Sequence, residues 1–208
     1  MAYGSDRTLA LNVLSGVASG KGICAEGTTD EALVERIAKG DKRALQILYC
    51  RHNVFIYRFV LRFLSDEASA EDVVSDVFLA VWRRAGRFEG RSQVSTWILA
   101  IAHYKALSHL RGRTTDYLDD EAAEAIEDPG DDPARMVEKN DTGALLRKCM
   151  SQLSLAQREV IDLVYYHERS MEEVADILQI PEPTVRTRMF YARKRLKDLL
   201  RTHGVDHA

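Results

Sequence analysis

The sequence predicts an all-α protein: two small helical domains joined by a flexible acidic linker, the C-terminal one a helix-turn-helix. Three observations carry this prediction. Apolar residues recur at three- and four-residue steps through most of the chain, and no alternating strand pattern competes with them. One-sided charge interrupts that periodicity over residues 114–141, where eleven acidic residues meet two basic ones. Near the C-terminus two short helical patterns flank Gln179-Ile180-Pro181, and the second of them is basic.

Residues 1–27, rich in Gly, Ala and Ser, read as a flexible extension with a short helical stretch around 9–14. From Thr28 onward the pattern is helical. Thr28 and Glu31 form a capping box ahead of a short helix reaching Lys39. Asp41 caps a long second helix, along which Leu45, Leu48, Tyr49, Phe55, Ile56, Phe59, Val60 and Phe63 share one face. A third helix starts after Ser69, with Asp72 at the capping-box position and Val73, Val74, Val77, Phe78 and Val81 as its apolar stripe. After a loop holding Gly86 and Gly90, Ser95 or a neighbour caps a fourth helix through Trp97, Ile98, Ile101, Ala102 and Leu110. Four such helices enclose one small core.

The linker contains the breakers Asp128-Pro129-Gly130 and Asp132-Pro133. A helix over 133–150 opens the second domain. Capping boxes at Ser154/Gln157 and Ser170/Glu173 then start two short helices, the first leading into Val160, Ile161 and Val164, the second into Val174, Ala175, Ile177 and Leu178. The predicted organisation is an extension over 1–27, a first domain over 28–113, a linker over 114–131, a second domain over 132–202 and a tail over 203–208.

A whole-chain net charge of −3 conceals an asymmetry. Residues 114–141 carry −9, and the remainder, with 21 acidic and 27 basic residues, carries +6. A basic body with an acidic connector points to a polyanionic partner. The three cysteines, Cys24, Cys50 and Cys149, are odd in number and widely spaced, with no C-x-x-C. They read as free thiols of a reducing cytoplasm, with no disulfide framework and no zinc site. No apolar run reaches membrane-spanning length and the N-terminus has no signal-peptide pattern, so a cytoplasmic protein is expected. There is no Gly-rich phosphate loop, no H-E-x-x-H and no nucleophile elbow, and histidines 52, 103, 109, 167, 203 and 207 show no ligand spacing. No catalytic residue, metal or cofactor is therefore expected.

The stretch PEPTVRTRMFYARKR supplies the chemistry. Prolines in a first helical turn sacrifice no intrahelical hydrogen bond and pre-set φ. Val185, Met189, Ala192, Leu196 and Leu199 form a face to be buried. Pro183, Thr184, Arg186, Thr187, Arg188, Phe190, Tyr191, Arg193 and Lys194 are left for DNA. Residues 184–201 hold seven basic side chains and one acid. The second helix of a helix-turn-helix lies in the major groove with its first turns at the base edges. Arg186 and Arg188 pair there with guanine or with phosphate; the spacing does not choose between them.

The segment SAEDVVSDVFLAVWRRAGRFEGRSQVSTWILAIAHYKALSHLRGR resembles region 2 of the extracytoplasmic-function (ECF) sigma factors of the sigma-70 family, with its acidic helix, loop and STW-headed helix. The segment LSLAQREVIDLVYYHERSMEEVADILQIPEPTVRTRMFYARKRL is similar to region 4 of the same family. Together the two resemblances cover nearly all the chain outside the extension and linker. They imply that Glu71, Asp72 and Asp76, with Val73, Val77, Phe78 and Trp82, dock on the clamp helices of core RNA polymerase. For Glu71 and Asp72 the alternative is that they complement the helix dipole, worth at most about 1 kcal/mol. The same resemblance assigns Arg87, Phe88, Ser95, Thr96, Trp97, His103, Tyr104, Arg111 and Arg113 to opening and reading the promoter −10 element, where a base must leave the stack. Trp97, at the start of a helix, reads more readily as a core residue than as a base platform, so the loop stands ahead of it as the reader of the −10 element.

Region 4 is implied to meet the −35 element near the polymerase flap. The resemblance further implies an anti-sigma factor as partner, and the lack of a long apolar run leads to the expectation of no membrane insertion. The chain departs from the family at His103-Tyr104, where many members have Arg-Asn, and at Ala100 and His109, where a basic residue is common. It departs again at Pro183 for Gly and at Tyr191 for Arg. The competing reading is an operator-binding regulator with a helical sensor domain, which leaves the acidic helix and the STW segment unexplained.

Overall fold

The structure, a computed structural model, describes residues 27–116 and 140–203. The expected extension, nearly all of the linker and most of the tail lie outside the described residues. The chain divides into two compact units, Met1–Ala123 and Glu124–Ala208. All regular secondary structure among the described residues is helical.

In the first unit, α1 (Asp30–Ala38), α2 (Lys42–Leu64), α3 (Glu67–Arg84) and α4 (Val94–Asp116) follow in order, with a 3-10 turn at Ala85–Arg87. Each start has a chemical cause. Thr29 rather than Thr28 caps α1, its hydroxyl accepting from Ala32 N at 3.3 Å. Asp41 caps α2 as expected, one carboxylate oxygen accepting from Arg43 N at 2.9 Å and Ala44 N at 3.2 Å. The third helix begins earlier than the Ser69/Asp72 pattern suggests. Ser65 ends α2 in the left-handed region at φ 54°, and Asp66 at once caps α3 by accepting from Ser69 N at 2.9 Å. An ionised carboxylate is the stronger acceptor, and it sits directly at the chain reversal. The fourth helix runs on to Asp116, past the expected boundary at 113.

Helices α2, α3 and α4 pack on one another, and α1 lies against α2. Their shared core is filled by Leu33, Ile37, Ile47, Leu48, Ile56, Phe59, Phe78, Ile98 and Leu99. Tyr49 of α2 meets Phe78 of α3 edge-on, ring centroids 4.8 Å apart. A polar clasp fastens α1: Arg51 donates to Asp30 Oδ1 at 2.7 Å and to the Thr28 carbonyl at 2.8 Å, and His52 Nε2 lies 2.5 Å from Asp30 Oδ2.

The second unit holds α5 (Asn140–Ser151), α6 (Leu155–Ile161) running into a π-helical turn (Asp162–Tyr166), α7 (Met171–Leu178) and α8 (Glu182–Thr202). The 133–139 part of the expected first helix lies outside the described residues. At α6, Ser154 N donates to Gln157 Oε1 at 3.2 Å. The α7 capping box is reciprocal: Glu173 N donates to Ser170 Oγ at 3.1 Å, and Ser170 N to Glu173 Oε2 at 3.0 Å. Gln179 adopts φ 54° and closes α7, and Ile180 N bonds back to the Ala175 carbonyl at 3.1 Å. This left-handed closure turns the chain sharply into α8. Val174, Ile177 and Leu178 of α7 bury with Val185, Met189, Ala192 and Leu199 of α8, over Cys149, Leu153, Val160 and Leu163.

The cysteines depart from the three expected free thiols. Cys149 is free and buried, whereas Cys50 is disulfide-bonded. Pairing depends on spatial approach of the two Cα atoms, which sequence spacing does not report. Cys24 lies outside the described residues.

Candidate nucleic-acid and polymerase interfaces

The buried stripe of α8 determines what its opposite face presents. Pro183, Arg186, Thr187, Phe190, Tyr191, Arg193 and Lys194 are exposed, and Thr184 and Arg188 are half-buried at its edges. Leu196, expected in the buried stripe, is only half-buried. Arg186 is held within its own helix by Glu182, with Nε–Oε1 at 3.0 Å and Nη2–Oε1 at 2.5 Å. Thr187 donates its hydroxyl to the Pro183 carbonyl at 2.9 Å. Arg193 lies over the Tyr165 ring at 5.5 Å. Phe190 and Tyr191 are 64% and 55% exposed and meet edge-on at 5.4 Å.

On α3 the structure separates two groups that the sequence pattern joins. Val73, Val77 and Phe78 are buried in the core of their own unit, so their apolar surface is already spent and does not face a partner. Glu71 and Asp72 are exposed, and Asp76 and Trp82 are partly so. Because α3 starts at Glu67, only Glu67 is acidic in its first turn. Glu71 and Asp72 lie beyond the reach of the helix dipole, which fades within that turn. The dipole alternative therefore loses its geometry. Two residues that sequence reasoning passes over join this surface. Leu79 is half-exposed; its place off the apolar stripe was the available signal. Lys105 of α4 comes within 3.6 Å of Asp76, a proximity only the helix packing creates. The acidic patch is felt nearby: burial first, and then the charge of Glu71, pushes the Tyr49 phenol above its usual range. Tyr57 moves the same way, from burial and then Glu67 and Glu71.

At the head of α4, Phe88 and Trp97 are both half-buried and their rings lie 5.0 Å apart. Arg87 is exposed on the 3-10 turn, and Arg91 pairs with Glu89 in the loop. Gly90, at φ 70°, supplies the left-handed residue the loop turns on. Ser95 is half-buried, and Tyr104 and Arg111 are exposed. Thr96 and His103 are only 2% and 7% exposed; they face the core, where His103 packs edge-on against Phe63 at 5.8 Å. Neither offers surface to nucleic acid in this conformation. The fourth-helix pattern identified the helix without its rotation about its axis, so both were expected outside. The side chain of Arg113 lies outside the described residues.

The second unit also carries an apolar groove of about 480 Å³, lined by Leu146, Met150, Ile161, Tyr166, Leu196 and Leu200 among others. It forms between α5, the π-helical turn and α8, so no single segment of sequence announces it.

Comparison with known proteins gives the family. The family Sigma-70 region 2 matches residues 48–115, and Sigma-70, region 4 matches residues 149–198. The RNA polymerase sigma-H factor of Pseudomonas aeruginosa is 34% identical over 185 residues, covering 83% of this chain and 96% of that protein. The ECF RNA polymerase sigma-E factor of Escherichia coli (strain K12) is 30% identical over 181 residues, 83% of this chain and 94% of that protein. Among solved structures, CnrH in complex with the cytosolic domain of CnrY superposes with a TM-score of 0.62 at 25% identity, covering 83% of this chain and 97% of that one. The sigma factor RpoE in complex with the anti-sigma factor NepR from Bartonella quintana gives 0.60 at 25% identity, covering 76% and 96%. With both regions present in order, and with relatives of this identity matched over nearly their whole length, the chain belongs to the ECF RNA polymerase sigma factors of the sigma-70 family.

Proposed function

We propose that this protein binds core RNA polymerase, directs it to promoters and helps to open them, without catalysis of its own, in the cytoplasm where the polymerase works. The observation that carries this reading is the pairing of two unlike surfaces on separate units. One is an acidic, core-independent patch on α3, at Glu71, Asp72 and Asp76 with Leu79 and Trp82. The other is a basic, exposed face on α8. Carboxylates on the first suit a basic protein partner, the polymerase clamp helices. The second suits the −35 duplex, near the flap, and its cations supply the salt-dependent affinity for phosphate.

Arg87, Phe88, Ser95, Trp97, Tyr104, Arg111 and Arg113 are the region 2 candidates for the −10 element, with Phe88 and Trp97 as an aromatic pair next to the loop. An anti-sigma factor is the expected antagonist: the structurally similar sigma factor RpoE is in complex with the anti-sigma factor NepR, and the similar CnrH is in complex with the cytosolic domain of CnrY. Among the described residues no helix is long and apolar enough to cross a membrane.

The test is run-off transcription with purified bacterial core polymerase on pooled promoter fragments, comparing the protein with its Glu71→Arg, Asp72→Arg variant. These positions are exposed and leave the Asp76–Lys105 pair intact. Discrete transcripts that need the protein and vanish with the variant support the proposal. Duplex binding without core binding or transcripts would return the operator-binding regulator.

A further inference from the structure

We propose that α8 reads its duplex mainly through an uncharged stripe, Pro183, Thr187, Phe190 and Tyr191, set against the 5-methyl groups of thymines, while the flanking cations hold phosphate. The proposal rests on the region 4 reading above and specifies what that surface recognises.

The geometry starts from burial. Val185, Met189, Ala192 and Leu199 face the core, so the 3.6-residue period puts Pro183, Thr187, Phe190, Tyr191 and Lys194 at the centre of the outward face. Arg186, Arg193 and Lys197 then fall on one flank of that stripe, and Arg188 and Arg195 on the other. A helix carrying cations on both flanks and apolar groups along its centre matches a groove with phosphates on both walls and base edges on its floor.

The side-chain contacts favour the same division of labour. Arg186 is already forked onto Glu182 and would have to surrender that pair to grip a guanine. Arg193 is drawn aside over Tyr165. Thr187 turns its hydroxyl back onto the helix, which leaves its methyl for the exterior. At the centre, Phe190 and Tyr191 stand 64% and 55% exposed and brace each other edge-on at 5.4 Å. Two neighbouring aromatic rings left in water amid cations are an unusual surface, and their mutual contact pre-orders them as one wedge. In the major groove the apolar group a base presents is the thymine methyl. Lys194, at the far end of the stripe, meets phosphate as a point charge.

The experiment uses the full chain with bacterial core polymerase on a promoter library randomised in its upstream window. The winning promoter is remade with deoxyuridine replacing thymidine, one position at a time, which deletes only the methyl. At one or two thymines the change should weaken promoter occupancy about fourfold, the effect of one buried methylene. That penalty should disappear in Phe190→Ala or Tyr191→Ala, whose melting temperatures should match the parent because both rings are exposed. Arg188→Ala should weaken all promoters alike. Uracil tolerated at every position overturns the proposal, and so does a uracil penalty that survives both aromatic substitutions. A guanine sensed only when Arg186 or Arg188 is present overturns it as well, and an aromatic pair indifferent to DNA would belong to a protein partner. If no transcript depends on the protein, it is the underlying region 4 reading that fails.

Discussion

Asp30 stands in the first turn of α1, yet its carboxylate serves α2. It accepts from Arg51 at 2.7 Å and lies 2.5 Å from His52 Nε2. Burial alone would raise its pKa; the hydrogen bonds from Arg51 and His52, and the attraction of both, more than reverse this and hold it below the usual 3.8. A carboxyl with a depressed folded pKa stabilises the fold above its unfolded pKa, and that stability is lost as pH falls through the folded value. Asp30→Asn should therefore lower the melting temperature of the first unit at pH 7, with the gap from the parent closing as pH falls below about 4. Thermal melts across that range measure it. A second residue-scale prediction separates core from interface on α3. Phe78→Ala should cost about 3–5 kcal/mol in denaturant unfolding, as a large buried ring is lost. Asp72→Arg, on the exposed side, should leave unfolding nearly unchanged while core polymerase capture fails.

Among the elements, α7 is the shortest of the helix-turn-helix pair and leans most on its ends. The Ser170/Glu173 box satisfies two first-turn groups, and Arg169 reinforces it by donating to Glu173 at 3.1 Å. Ser170→Ala should destabilise the second unit by about 1 kcal/mol. At the other end Gln179 tolerates a left-handed conformation that costs an L-residue roughly 1–2 kcal/mol. Gln179→Gly should stabilise the unit, less whatever is lost with the side-chain bond to the Asp176 carbonyl at 2.6 Å. Calorimetry on both variants checks the sign at each end. Sequence reading identified this box and the Asp41 cap correctly, because the capping residue immediately precedes an apolar pattern. It misplaced the start of α3, where the left-handed turn at Ser65 leaves no signal of its own in the residue type.

At the scale of the whole molecule, two compact units each bury their own core, so the full chain should unfold in two transitions. Phe78→Ala should shift only one of them in a calorimetric scan. Charge acts at this scale as well. The net −3 of the chain combines an acidic 114–141 with a body carrying +6. Promoter affinity should fall steeply with salt, because each phosphate neutralised by α8 releases a counterion. Alanine at Arg188 or Arg195 should flatten that slope, as read by polymerase–promoter binding between low and physiological salt.

The helical class, the order of the elements, the helix-turn-helix and the family were legible in the residues alone. Periodicity, caps and charge are local properties, and a short motif keeps its chemistry wherever the chain carries it. What needed tertiary structure was the facing of each side chain. Thr96 and His103 share a motif with Trp97 and Tyr104, yet both are buried, His103 against Phe63 of α2. Val73, Val77 and Phe78 sit among the acids of α3 in sequence and behind them in space. The Asp76–Lys105 approach and the groove beside α8 exist only once distant segments meet. A helix's rotation about its own axis is decided by what it packs against, and that is a property of the assembled core.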